Sequence, residues 1–306
     1  MIAFSEKLPP TLVAIEACGE SHHWARFLQS FGHEVKLIPP QYVKPYVKRG
    51  KNAAAEALCE AMSRPTMRPV KSAESQAALM LIGVRERLIR NRTQLANAIG
   101  GCAAEFGLSA AQGICKVELL LEHIATDETL PELARDLFAL HAREYRQLLG
   151  EIAKVEARLT AWHPADECSR RLAKIPGGGP IGASMLVMKM PAPEGFGSGW
   201  HFAAWLGLTP KGHSTAGKVR LGVITRAGDE PLRSALVAWA TALLRHVREG
   251  RGKNASPWLL ELLKRKPPKL VAVALANKFA RVAWKLMVTG EQYRTNTTQP
   301  LHARAV

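Results

Sequence analysis

Four short stretches hold residue types whose spacing suits chemistry. Residues 207–222, GLTPKGHSTAGKVRLG, set Ser214 and Thr215 among Lys211, Lys218 and Arg220, with Arg226 shortly beyond. Ser, Gly and Lys in one loop can present a nucleophilic hydroxyl among cations that stabilise a phosphate transition state; the same residues also make an ordinary turn. Ile175-Pro176-Gly177-Gly178-Gly179-Pro180, with Ala183 following, is an apolar-Pro-Gly-x-Gly run ahead of a helix. In a helix–hairpin–helix, such glycines turn backbone N–H groups outward and the next helix adds its N-terminal dipole. Gly177 and Gly179 are therefore candidate phosphate contacts, with a plain interhelical turn as the alternative. Glu16 closes the apolar run TLVAIE. A carboxylate at a strand end binds Mg²⁺ when others from distant segments join it, and is otherwise a cap or a surface residue. Cys18, His22 and His23 lie close together, but their spacing matches no standard zinc site.

These residues need elements to position them. Residues 11–16 read as a strand, His22 to Phe31 as a helix stopping before Gly32, and EVKLI (34–38) as a second strand ended by Pro39-Pro40. Strand, helix and strand within about 30 residues make a βαβ-like unit. Residues 41–71 are basic, with Lys44, Lys48, Arg49, Lys51, Arg64, Arg68 and Lys71. Residues 72–106 form a long helical pattern with Leu79, Ile82, Leu88, Leu95 and Ile99 on one side, weakened at Gly100-Gly101. Residues 116–160 are helical with a break near Pro131. Leu148, Ile152, Val155 and Leu159 step by 4, 3 and 4, which suits one helix of a bundle or a coiled coil joining two subunits. Gly-rich and basic loops alternate with apolar helices from Leu172 onward, and 256–287 is helical again. The expected division is 1–75, 76–165, 170–255 and 256–306, an α/β unit followed by α structure.

Composition narrows the partner. The chain has 306 residues, 47% of them hydrophobic, enough for a packed core. Lys and Arg total 42 against 26 Asp and Glu, a net charge of +16. A surplus of this size points to a polyanion, nucleic acid before membrane. The five Cys contain no CxxC pair, which argues against a disulfide scaffold or zinc ribbon and fits a reducing cytoplasm. No segment has the length of a bilayer span or the pattern of a targeting signal, so a cytoplasmic, nucleoid-associated protein is expected.

The residues also form an ordered series. AIEACGESHHWARFLQSFGHEVKLIPPQYVKPYVKRGKN, EALCEAMSRPTMR and PVKSAESQAALML resemble the N-terminal DEDD domain of transposases of insertion sequence family 110, in its 1111 branch. IPGGGPIGA, FAAWLGLTPKGHSTAGKVRLGVITRAGDEPLR and ALANKFARVAWKLM resemble the C-terminal domain of the same family. The resemblance spans nearly the whole chain. It implies a RuvC-like, ribonuclease H-like N-terminal domain holding Mg²⁺ on four acidic residues, a helical spacer, and a mainly helical C-terminal domain with a serine nucleophile. It also implies DNA cutting and rejoining, direction by an element-encoded guide RNA, and dimers that pair into tetramers.

Carried over by position, Glu16 matches the second acidic residue of the family and Ser214 its serine. Lys218, Arg220 and Arg226 fall where basic residues follow that serine. The chain departs from the pattern elsewhere. The first Asp of the family lies on a strand upstream of any matching segment, so Met1 is expected to fall inside the domain. Its Lys-Asn-Asp-x-x-Asp-Ala run is replaced here by Lys51-Asn52-Ala53-Ala54-Ala55-Glu56-Ala57. With one of four carboxylates in place, the metal site is expected to be poor. A degraded copy that binds nucleic acid without strand transfer is the alternative to an active transposase.

Overall fold

The computed structural model of the protein describes residues 5–47, 54–63, 69–109, 111, 113–190, 192–213, 220–251 and 255–294. In the N-terminal unit, β1 (Leu12–Glu16) and β2 (Glu34–Ile38) pair in parallel, from Leu12 opposite Glu34 to Glu16 opposite Ile38. Parallel neighbours need a crossover, and α1 (Ser21–Ser30) supplies it, burying Ser21, Ala25 and Leu28 at helical spacing. Pro39-Pro40 ends β2, and Pro40 opens the short helix α2 (Pro40–Val43), where a missing N–H costs nothing. Ala57 and Ala61 of α3 (Ala54–Ala61) close over Ile38 and Val43. His33 is buried; its Nδ1 accepts from Thr11 N–H at 3.3 Å and its Nε2 lies 3.1 Å from the Ser5 carbonyl.

The spacer is an antiparallel helical hairpin. α4 (Ala73–Glu105) starts at Ser72, whose Oγ accepts from Ser75 N–H. α5 (Val117–Thr126) follows, and Pro131 caps α6 (Glu132–Trp162). Early α4 meets late α6, with Arg85 Nε donating to Glu156 Oε1 at 2.9 Å. The far ends meet where Phe106, just past α4, faces Phe138 with ring centroids 6.2 Å apart. The helix runs through Gly100-Gly101 because Ile99 and Ala103 on either side are fully buried against α5 and α6. Ile152 and Leu159 of the 4-3-4 seam are buried inside this chain, so the seam serves the bundle reading.

The C-terminal part contains α7 (Glu167–Leu172), α8 (Pro180–Lys189), α9 (Gly199–Trp205), the strands β3 (Pro210–Gly212) and β4 (Leu221–Ile224), α10 (Glu230–Arg248), α11 (Pro257–Arg265) and α12 (Pro268–Thr289). α12 runs through its core. Ala272, Ala276, Ala280 and Ala283 alternate with Val271, Leu275, Phe279 and Leu286 on its buried side, and the small residues let α9 and α10 approach closely. The same core takes in Ile82 of α4 and Leu159 of α6. The fold is mostly helical, with two two-stranded sheets among the described residues. None of the described helices is long and apolar enough to cross a membrane.

Candidate functional site

The basic serine segment sits on a hairpin. β3 and β4 are antiparallel, with Pro210 opposite Ile224 and Gly212 opposite Leu221. His213 N–H donates to Arg220 O at 2.8 Å, which joins the two chain ends flanking residues 214–219. Ser214 and Lys218 lie outside the described residues. Lys211, within β3, and Arg220, just before β4, are exposed. Among the neighbours of the hairpin, the ring of His213 lies against Gly222, where a Cβ would come within 3.0 Å of it.

The base of this hairpin is rigidly made. Arg226 N–H donates to Gly207 O and Thr225 N–H to Thr209 O. Gly207 and Gly228 have φ of +70° and +76°, and a Cβ at either would strike backbone, of Ala227 and Trp205 respectively. Only glycine permits that crossing. Arg226 itself has φ 56°, an unusual conformation for a residue with a side chain. Arg233 Nη1 donates to both Leu206 O and Ala227 O at 3.0 Å, bracing the two legs. Asp229 caps α10 by accepting from Leu232 N–H at 2.9 Å, and also pairs with Lys189 at 3.0 Å. Lys189 pairs in turn with Glu86 of α4. Asn277 Nδ2 donates to Leu208 O at 3.2 Å, tying the hairpin to α12. Nothing local in the sequence marks Arg233, Lys189 and Asn277, because Leu206, Glu86 and Leu208, which they bind, lie far along the chain.

The loop joining α7 and α8 has a packing reason for its glycines. Gly177 has φ +81° and a Cβ there would fall on the Trp239 carbonyl; a Cβ at Gly182 would enter the Trp239 indole. Gly178 N–H is used by Ile175 O at 2.8 Å. Gly179 has open space around it and starts α8 with no side-chain cap. The fit of α10 thus accounts for Gly177, while Gly179 is free to meet a ligand.

Glu16 ends β1 and is exposed. Among the described residues no group of three or more His, Cys, Asp or Glu gathers where a metal could bind. Mg²⁺ requires several oxygen ligands in near-octahedral geometry, so this donor set does not fit it. His22, adjacent to the Cys18 and His23 positions, is used structurally: its Nδ1 accepts from Lys71 N–H at 3.1 Å. Arg26 on the same helix donates to Lys71 O and Gln76 Oε1, fastening the N-terminal unit to the start of α4. Lys44 is exposed in the turn after α2, whereas Lys48, Arg49 and Lys51 lie outside the described residues.

Comparison with known proteins identifies the family. A family model described as the transposase IS116/IS110/IS902 family matches residues 169–255, the segment from α7 through α10 that includes the hairpin. A transposase of Sinorhizobium fredii is 70% identical over 298 residues, 96% of this chain and 77% of that protein. A family 20 transposase of Pseudomonas aeruginosa is 45% identical over 302 residues, 95% of this chain and 88% of that protein. The transposase for insertion sequence element IS1111A of Coxiella burnetii is 37% identical over 292 residues, 92% of this chain and 79% of that protein. With identity of this level over nearly its whole length, the chain belongs to the IS116/IS110/IS902 family of transposases.

Proposed function

We propose that this transposase exchanges DNA strands through a transient covalent bond between Ser214 and a DNA phosphorus. The observation that supports this best is the braced, exposed β3–β4 hairpin, whose paired residues His213 and Arg220 flank the segment carrying Ser214. Ser214 Oγ attacks phosphorus; the Ser–O–P bond forms as the bond to a deoxyribose oxygen breaks, and that oxygen takes the serine proton. A hydroxyl of a second strand end then attacks the phosphoserine, restores Ser214 and seals the new junction. The phosphodiester bond energy is conserved. Lys211, Lys218, Arg220 and Arg226 supply positive charge for the phosphate oxygens.

Lys44, Lys48, Arg49, Lys51 and the glycine turn, through its open Gly179, contact backbone phosphates, which position DNA without reading it. The β1–α1–β2 unit is read as part of a RuvC-like fold because of its parallel pairing and helical crossover. An element-encoded RNA directs the enzyme to its sites. Two copies pair, and the stripe Leu133, Leu137 and Leu140, at 71%, 51% and 52% exposure on α6, is a surface suited to that pairing.

The test is a strand-exchange assay on a plasmid carrying both ends of the element, with the guide RNA supplied. Exchange by the chain and none by Ser214→Ala supports the proposal; undiminished exchange by Ser214→Ala removes Ser214 from the mechanism. A second reading, nucleic-acid binding without exchange, is favoured because no group of three or more metal-ligating side chains forms among the described residues. Tight binding without exchange by either protein selects it.

A further inference from the structure

A pair of cations on α12 has no role in the chemistry described above. Lys278 and Arg281 are one helical turn apart, which places them on the same face. Both are half-buried, and among the described residues neither has a hydrogen-bond acceptor or a carboxylate partner; Arg281 Nε is buried with nothing to donate to. Burial lowers the Lys278 ammonium from its ordinary value, with the neighbouring Arg281 adding to the effect, and burial lowers Arg281 as well. Two like charges held together without an anion leave a site short of negative charge.

Tryptophans flank the pair. The Arg281 guanidinium carbon sits 3.9 Å from the ring centre of Trp200, and Lys278 Nζ sits 4.6 Å from that of Trp258. Trp200 is 58% exposed although it stacks on Arg281. Its helix is held against α12 by Gly199, where a Cβ would lie 3.1 Å from Arg281 backbone and side-chain atoms. The site is also anchored beside the serine hairpin, since Asn277, the residue before Lys278, binds Leu208 O at the entry to β3.

We infer that Trp200, Lys278 and Arg281 form a binding site for unpaired nucleotides, with an unstacked base on the open face of Trp200 and phosphates on Lys278 and Arg281. Phosphate supplies the missing anion. An exposed indole already polarised by a guanidinium offers the flat surface on which a base stacks whatever its sequence. A fully paired duplex keeps its bases stacked internally and cannot use that ring. The ligand is therefore a single-stranded segment, of DNA opened near the hairpin or of RNA. This inference rests on the proposed function for the presence of nucleic acid and goes beyond it in naming the site and the unpaired state.

The experiment measures binding of the full chain to a fluorescent 15-nucleotide single-stranded DNA, the same sequence as RNA, and the DNA duplex. In Trp200→Ala, the loss of affinity for a single strand should exceed the loss for duplex by roughly ten-fold, the worth of one stacked base. Trp200→Phe should recover most of it. Lys278→Gln with Arg281→Gln should flatten the salt dependence on the single strand by about 0.7 in log–log slope per phosphate contact removed. Whether DNA or RNA shows the larger effect identifies the strand. Independently of any variant, a 5-iodouracil-substituted single strand should photo-crosslink to the peptide containing Trp200. Equal losses on single strand and duplex, or crosslinks only elsewhere, would overturn the site while leaving the proposed function standing. A chain that binds none of the three oligonucleotides would contradict both.

Discussion

Arg226 shows how one residue at the hairpin base separates backbone from side chain. Its φ of 56° is a conformation that glycine adopts freely and other residues adopt at a cost of about 1 kcal/mol. Its N–H is committed to Gly207 O, so the loop geometry requires the strained backbone. Its side chain is exposed and is assigned to phosphate. Arg226→Gly should therefore act in opposite directions. Urea denaturation should show stability unchanged or raised by up to about 1 kcal/mol. Duplex affinity should fall, with the log–log salt slope smaller by about 0.9, the value of one phosphate contact on duplex DNA. Loss of stability together with unchanged binding would mean that the arginine side chain holds the loop rather than DNA. Gly207 and Gly228 differ from Arg226 in that a Cβ at either meets backbone, so no side chain fits there.

At the scale of elements, the turn between α7 and α8 separates a packing glycine from an open one. Gly177→Ala would push a methyl into the Trp239 carbonyl and force a left-handed backbone on alanine. It should cost about 2 kcal/mol or more. Gly179→Ala, with ordinary backbone and open space, should cost less than about 1 kcal/mol. Chemical denaturation of the two variants decides the matter, and equal costs would contradict the packing account. The α4–α6 hairpin allows a second test. Tyr145 is buried and donates to Ile114 O at 3.2 Å, and burial raises its phenol above the ordinary value. A raised acid holds its proton more firmly when folded. Its contribution is complete below the ordinary phenol value of about pH 10 and is lost as pH rises through the raised one. Denaturation midpoints should fall more steeply above about pH 10 for the natural chain than for Tyr145→Phe. Parallel curves would show that Tyr145 is not titrating in the core. Much of this architecture was legible in the sequence. The 3.6-residue pattern revealed α4 and α6, and the β-branched runs before Gly and Pro revealed β1 and β2. The partners of those elements were not legible. The seam at Leu148 to Leu159 looks the same whether its mate is another subunit or α4. Likewise, the helical pattern of 256–287 does not show that α12 runs through the core built by the preceding segment.

For the molecule as a whole, the net charge of +16 suits a polyanionic partner, and family membership makes DNA its substrate. The hairpin base is a meeting point of long-range contacts. Arg233, the Asp229–Lys189–Glu86 series and Asn277 fasten its base to α10, α8, α4 and α12, so that several elements meet at the foot of the hairpin. That arrangement suits a nucleophile that must meet phosphorus in line, because misplacement of the attacking oxygen by about 1 Å costs roughly a hundred-fold in rate. The N-terminal unit offers less. Glu16 stands exposed and, among the described residues, belongs to no group of three or more metal-ligating side chains, so the proposed chemistry is centred on the serine. The most direct test traps the covalent intermediate. The element's end duplex is synthesised with a bridging phosphorothiolate at the cleaved bond, whose sulfur leaves as a thiol that rejoins poorly. It is then incubated with the guide RNA and the full chain. The account predicts a protein–DNA adduct stable to denaturation, whose DNA-bearing peptide carries its modification on Ser214, and no adduct with Ser214→Ala. An adduct of equal yield with Ser214→Ala, or one mapped to another residue, would contradict it.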